Sequence, residues 1–402
     1  MIKITKCPIS GSTRSVKYLD LGDVPLVNNL CETKEESLAI ERFPLAIQLF
    51  PASNFTCLTE IVDKGKLFET YLYYSGINKP YLAHCSRMYD YLGDFVDLQE
   101  NDYVVDVGGN DGSLLKEFRK KNPNLVYVNV DGSHSFLEVN TAAGIQYVNE
   151  YFSEETDLKF KARVITSTNV FQHTEPMRSF VKGIYRNLSE DGVWCLEFPY
   201  FITTLVNFNY DQVYHEHVYY FLLQNIIDIT EQEGLKVINT SFYDMHAGTL
   251  RVIIAKQSSS RQPDHTIDQF LEMEKIINED YCLDWGKRTY EKMVEYKRFL
   301  TDLVSQGKKI ACFGAAGKGC VFLNSCEIDH TIIDYIIDDT PLKQGKYMPG
   351  TGIQVVSREY LDTHKVDYIL ILAHNFKDYI IESMRPQFNG KFLVMYPDIQ
   401  VI

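Results

Sequence analysis

The hydrophobic pattern changes character along the chain. Residues 1–66 hold short strand-like pieces broken by turns, clearest at 16–21 and 43–50, and predict a small N-terminal unit. Residues 67–100 are rich in tyrosine (Tyr71, Tyr73, Tyr74, Tyr81, Tyr89, Tyr91) and predict mostly helix. From residue 103, apolar runs at 103–107, 126–130, 164–168 and 193–198 alternate with helical patterns such as 113–120 and 177–188. Strand–helix alternation predicts an open, mainly parallel sheet covered on both faces. Runs at 235–241 and 249–255, with a turn near His246-Ala247-Gly248, predict an antiparallel pair finishing that sheet. The polar, Ser-rich stretch 256–264, broken by Pro263, reads as a linker. Helical patterns at 266–278 and 282–305 follow, then a second series with strands near 309–313, 332–337, 367–372 and 394–396. The expected architecture is α/β in three units. They are a small unit at 1–66, a Rossmann-like unit at 67–258, and a helical connector with a second Rossmann-like unit at 259–402.

Composition narrows the function. The 402 residues are 45% hydrophobic and 23% charged, which excludes a largely disordered chain. A net charge of −14 argues against a nucleic-acid partner, which needs a basic face. It leaves room for a small anionic ligand, because a few helix amides and one lysine can hold a phosphate. The aromatic share of 13% fits either an aromatic core or an aromatic-lined cleft. No apolar run approaches the roughly 20 residues of a membrane span, and Met1 to Lys6 lead into Cys7-Pro8 without a leader-like stretch. Nine scattered cysteines read as reduced thiols, so the expectation is a cytoplasmic protein with no membrane partner.

Two glycine-rich turns carry the first chemistry. Gly108-Gly109-Asn110-Asp111-Gly112 follows the strand at 103–107 and precedes a helix, and Asp131 ends the next strand. The spacing is not Gly-x-Gly-x-x-Gly. An acid at that place can take both hydroxyls of a ribose. A sulfonium donor has no pyrophosphate, so Asn110 and Asp111 are tolerable, and the pattern fits the adenosyl end of S-adenosylmethionine. The plain alternative is an ordinary turn with Asp131 in solvent. The second turn, Gly314-Ala315-Ala316-Gly317-Lys318-Gly319, narrowly misses the dinucleotide fingerprint and is not a P-loop. Lys318 suits a diphosphate, and Asp338-Asp339 close the following strand beside a ribose or base edge. A nicotinamide nucleotide and a nucleoside diphosphate both fit this turn.

The insertion 199–218 contains Tyr214-His215-Glu216-His217, and 169–173 ends in His173; both follow strands of the first sheet. Ligands of open α/β sheets gather beyond the carboxyl ends of strands. Histidine titrates near pH 6.5 and suits proton removal, with an adjacent Glu to orient it. One helical turn would put Tyr214 and His217 on the same face. Two plain readings compete. Either histidine is a satisfied structural group, or His215 and His217 join His173 or His246 on a metal, which the spacing does not demand.

These runs, in order, resemble the three-domain S-adenosylmethionine-dependent C-methyltransferases that act on nucleotide-linked 4-keto deoxysugars. The matching segments are Leu19-Asp20-Leu21-Gly22-Asp23-Val24-Pro25-Leu26-Val27-Asn28, Tyr71-Leu72-Tyr73-Tyr74-Ser75-Gly76, the first glycine turn and Tyr214-His215-Glu216-His217. His246-Ala247-Gly248-Thr249-Leu250-Arg251, the second turn with Phe313, Asp339-Thr340-Pro341-Leu342-Lys343-Gln344-Gly345, 350–353 and Leu372-Ala373-His374-Asn375 complete the series. The resemblance implies that Gly108, Asn110, Asp111, Gly112, Asp131 and Asn169 hold the methyl donor. It implies that Gly314, Ala316, Lys318, Asp338 and Lys343 hold the sugar nucleotide, with Tyr71, Tyr73, His246 and Arg251 also on the substrate. His217 becomes the catalytic base, aided by Glu216 and Tyr214, with His173 near the sugar. The family's N-terminal unit usually carries zinc on two Cys-x-x-Cys pairs. Here Cys7 stands alone with Ser10 three residues on, and Phe50-Pro51-Ala52-Ser53 replaces the second pair. Zinc is therefore expected to be absent, with no metal elsewhere. His374 stands where the family often has Trp.

The implied mechanism is removal of a proton from carbon beside a ketone by His217, with the oxyanion stabilised by Tyr214 or His173. The enolate carbon would then attack the sulfonium methyl, held in line by two domains facing one cleft. The rivals are O-methylation of a sugar or related small molecule, nicotinamide-dependent oxidoreduction at 314–319, and non-catalytic sugar-nucleotide binding. The Tyr-His-Glu-His run speaks against the last, since a pure binder needs no base.

Overall fold

In a computed structural model of the chain, residues 1–68, 76, 79–245 and 248–402 are described. Tyr71, Tyr73 and His246 lie outside these residues.

The middle of the chain forms a seven-stranded sheet in the order Leu235–Tyr243, Thr249–Lys256, Leu188–Pro199, Ala162–Thr168, Tyr103–Val107, Val126–Val130, Gln146–Val148. All strands run parallel except Thr249–Lys256, which is antiparallel to both neighbours. The expected finishing pair is present, and one member is threaded inside the sheet. Runs such as Val104 and Val105 are fully buried, as both-face coverage requires. Val126–Val130 lies on one side of Tyr103–Val107, and the chain returns past Gln146–Val148 to lay Ala162–Thr168 on the other. That reversal opens a crevice at their carboxyl ends, where 108–112 and 169–173 sit.

The C-terminal sheet has six strands in the order Val355–Val356, Ile336–Ile337, Ile310–Phe313, Tyr368–Ile371, Lys391–Val394, Gln400–Val401, all parallel but the last. Its own crevice lies over Ile310–Phe313, where the second glycine turn begins. The strand expected over 332–337 shrinks to Ile336–Ile337 because Asp329 captures the preceding residues in a turn. Its carbonyl accepts from the amides of Ile332 and Ile333, each at 3.0 Å, and its carboxylate accepts from Thr331 N at 2.8 Å.

The N-terminal unit is built on antiparallel strands Val16–Pro25, Arg42–Phe50 and Phe55–Leu58. Its fourth strand comes from far along the chain: Tyr219–Tyr220 pairs with Phe55–Leu58, Tyr219 opposite Cys57. The helix Leu223–Gln232 follows this strand. The long helix Glu279–Ser305 lies on Val16–Pro25. Gly286 is required there, since a Cβ would fall 1.8 Å from the Tyr18 carbonyl oxygen. Ser37 ties the N-terminal unit to the C-terminal sheet region, donating to Met348 O at 2.6 Å and accepting from Gly352 N at 2.9 Å. Buried side chains from all three sheets join in one continuous hydrophobic core.

Candidate active site

The first glycine turn is wired to its acid. Gly108 and Gly112 take the left-handed φ of +70° and +74°, where a side chain is strained. A Cβ on Gly108 would sit 2.5 Å from Val170, and one on Gly112 would sit 2.1 Å from Asn140 Oδ1. Asp131 accepts from Asn110 N and from Ser133 N, both at 2.9 Å. Burial lifts its carboxyl above the ordinary range, and those two N–H groups only partly offset this. Asp111 closes the helix start, accepting from Ser113 Oγ at 2.6 Å and from Gly76 N at 3.1 Å. Across the crevice Asn169 has φ of +55° and donates its backbone N–H to Glu197 O at 2.9 Å. Its side-chain Oδ1 is buried with no hydrogen-bond partner among the described residues. An orphaned acceptor, an acid with a lone pair to spare on each oxygen and a cradle that excludes a Cβ fit an adenosyl group.

The second turn repeats the wiring. Gly314 has φ of +100°, and Asp338 accepts from Ala315 N at 2.8 Å and from Thr340 N at 2.9 Å. Lys343 reaches into the same turn, donating to Ala315 O at 2.8 Å and lying 3.3 Å from Asp338 Oδ2. Ala316 caps the helix Gly317–Ser325. The Lys318 ammonium is buried and has no hydrogen-bond partner among the described residues. Burial lowers its pKa, opposed by the charge of Asp211.

Three predicted side chains meet here, Tyr214, His217 and His173, and Glu216 joins them through its backbone carbonyl. His217 Nδ1 donates to Gln212 O at 2.9 Å, so Nε2 carries the lone pair, which accepts from the Tyr214 hydroxyl at 2.6 Å. The two rings lie 3.9 Å apart, and the His217 N–H bonds Tyr214 O at 2.9 Å in a tight turn. His173 is tilted against His217 with ring centroids 5.0 Å apart, and its Nδ1 donates to the carbonyl of Glu216. Burial lowers the His173 pKa, partly countered by that carbonyl. The Glu216 carboxyl is 7% exposed and accepts from Asn28 Nδ2 at 2.6 Å. Burial pushes it up to about 7, with the Asn28 amide only partly opposing. His215 turns away, its Nε2 3.2 Å from Phe43 O and its ring edge-on to Phe43. Among the described residues no three His, Cys, Asp or Glu side chains converge as a metal would need. Cys7 is hydrogen-bonded to Ser53 Oγ at 3.1 Å and accepts from Ser10 N at 3.4 Å.

Arg251 is placed apart from this group. It is fully buried, paired with Glu197 at 2.6 Å and donating to Tyr243 OH at 2.8 Å. His84 Nε2 meets the same carboxylate at 2.8 Å. Burial raises the Glu197 carboxyl, but Arg251 and His84 outweigh it and hold it below the usual range. The guanidinium is thus committed to protein groups. Residues with no prior signal also enter the site: Gln212, whose carbonyl meets His217 five residues on, Asp211, whose partner His374 is far away in sequence, and Asn28, whose role is invisible until Glu216 is seen beside it.

Comparison with known proteins fits this geometry. A model of the C-methyltransferase C-terminal domain matches residues 244–397, and a methyltransferase-domain model matches residues 81–240. The C-methyltransferase NovU of Streptomyces niveus is 27% identical over 409 residues, covering 99% of this chain and 97% of the relative. These matches support an S-adenosylmethionine-dependent C-methyltransferase. The carboxy-S-adenosyl-L-methionine synthase of Nautilia profundicola is 27% identical over 122 residues, covering 29% of this C-methyltransferase and 51% of the relative. Among solved structures, the plantazolicin methyltransferase BpumL in complex with SAH is 14% identical, covering 44% of this chain and 84% of that one, with a TM-score of 0.36. The fold class read from the sequence stands: a methyltransferase sheet with a second α/β sheet after it and a small unit before it. Among the described residues, no helix is long and apolar enough to cross a membrane.

Proposed function

We propose that this C-methyltransferase moves a methyl group from S-adenosylmethionine to a carbon of a nucleotide-linked keto-deoxysugar, with His217 as the base. The observation that carries the reading is the orientation of His217. Gln212 O takes the Nδ1 proton, which leaves Nε2 basic and beside the Tyr214 hydroxyl, which can bond an oxyanion. S-adenosylmethionine supplies an electrophilic methyl on sulfonium when bound; Gly108, Asn110, Asp111, Gly112, Asp131 and Asn169 are the residues that would hold it. His217 removes the proton from the carbon beside the ketone. Tyr214 shifts its hydroxyl from Nε2 to the oxygen as charge builds there, while the His173 ring packs beside that of His217. Glu216, held by Asn28, stands ready to exchange a proton near neutral pH. The second glycine turn, with Gly314, Ala316, Lys318, Asp338 and Lys343, takes the nucleotide, and its helix start favours a diphosphate. Nine free, buried cysteines suit work in the cytoplasm.

The test is methyl transfer from labelled S-adenosylmethionine to a panel of nucleotide 4-keto sugars, wild type against His217→Asn. A positioned base contributes about 100-fold or more, so the variant should lose at least that in kcat while still binding S-adenosylhomocysteine. Transfer at the wild-type rate would remove His217 from the base role. NMR of the product separates carbon from oxygen methylation, and no transfer to any sugar nucleotide would discard the substrate class.

A further inference from the structure

We propose that Asp211 is a positioning residue for His217, anchored by His374 from the C-terminal unit. The inference rests on the reading of His217 as the base. Asp211 belongs to the single turn Tyr210–Gln212 and is fully buried. Its Oδ2 lies 3.2 Å from His374 Nε2, and its Oδ1 has no hydrogen-bond partner among the described residues. The buried Lys318 ammonium likewise lacks a hydrogen bond and interacts with the Asp211 charge. A carboxylate sealed from water needs a partner, and His374 Nε2 is the one in hydrogen-bond reach. The other titratable groups facing Asp211 are the Tyr296 and Tyr396 hydroxyls.

The rest of the turn is gripped by the same unit. Tyr210 OH bonds Cys326 Sγ at 3.0 Å, its ring packs on Tyr396 at 5.6 Å, and Tyr396 packs on His374 at 4.6 Å. The residue after Asp211 is Gln212, whose carbonyl takes the His217 Nδ1 proton at 2.9 Å. The direction of that carbonyl sets which ring nitrogen of His217 is basic and where it points. His374 therefore reaches the base through one carboxylate and one peptide. Neither it nor Asp211 needs to touch substrate. The sheet that takes the nucleotide thus holds the base in register with it.

The experiment uses the full chain in single-turnover assays with labelled donor. Asp211→Asn keeps the shape and removes the charge. The expected result is a kcat about tenfold lower or more, with KM for the sugar nucleotide and affinity for S-adenosylhomocysteine within twofold of wild type. In a His217→Asn background the same change should cost less than twofold, because groups that act as a unit are not additive. His374→Gln gives the same pattern and serves if Asp211→Asn does not fold. An unchanged kcat in Asp211→Asn overturns the proposal, as does an equal loss with and without His217, which would mean packing alone. If His217→Asn itself retains full activity, the base reading falls first. If His217→Asn is dead and Asp211→Asn is fully active, only the positioning role falls.

Discussion

Glu216 holds a carboxyl group 7% exposed with one amide partner, and such a group binds its proton more tightly folded than unfolded. Its value rises from 4.5 to about 7. Between those limits the folded state carries the extra proton, so this group's contribution to stability declines as pH rises from about 4.5 to about 7 and is level above. Glu216→Gln keeps an oxygen for Asn28 and removes the titration. Its stability relative to wild type should climb through that window by on the order of 3 kcal/mol, read by urea melts from pH 4.5 to 8. A gap that stays constant with pH would show that Glu216 ionises normally. The closeness of Tyr214 and His217 was legible from their spacing of three. The Asn28 contact was not, because 188 residues separate it from Glu216 and no local periodicity records such a pairing.

At the scale of elements, the two glycine turns share one construction. A left-handed glycine leaves the strand, and the acid after the next strand accepts a turn amide and the amide two residues beyond itself. The acid builds the turn before it meets any ligand. Gly112→Ala adds αL strain and a clash with Asn140, whose amide holds Asn110 O at 3.0 Å. A loss of about 2–4 kcal/mol in urea unfolding is expected, with weaker S-adenosylhomocysteine binding in calorimetry. Wild-type behaviour on both counts would mean that the turn relaxes freely. These turns and the strands before them stood out in the sequence because parallel strands buried on both faces read as unbroken apolar runs. Tyr219–Tyr220 did not stand out. A two-residue strand has no period, and its partner lies about 160 residues back.

At the scale of the molecule, the three sheets share one core. Scanning calorimetry should therefore show one cooperative transition and not three, moved upward by S-adenosylhomocysteine as a ligand of the folded state. Separate transitions would mean that the shared core is energetically weak. The segment 199–221 is where that unity is most concentrated. By sequence it belongs to the methyltransferase sheet, by its last strand to the N-terminal sheet, and through Tyr210 and Asp211 it meets the C-terminal sheet. Recombination is the place where this matters. A chimera that exchanges only the nucleotide-binding sheet between two relatives would sever the grip on this strap. New substrate specificity would arrive with a misaligned base unless the strap and both of its anchorages were transplanted together.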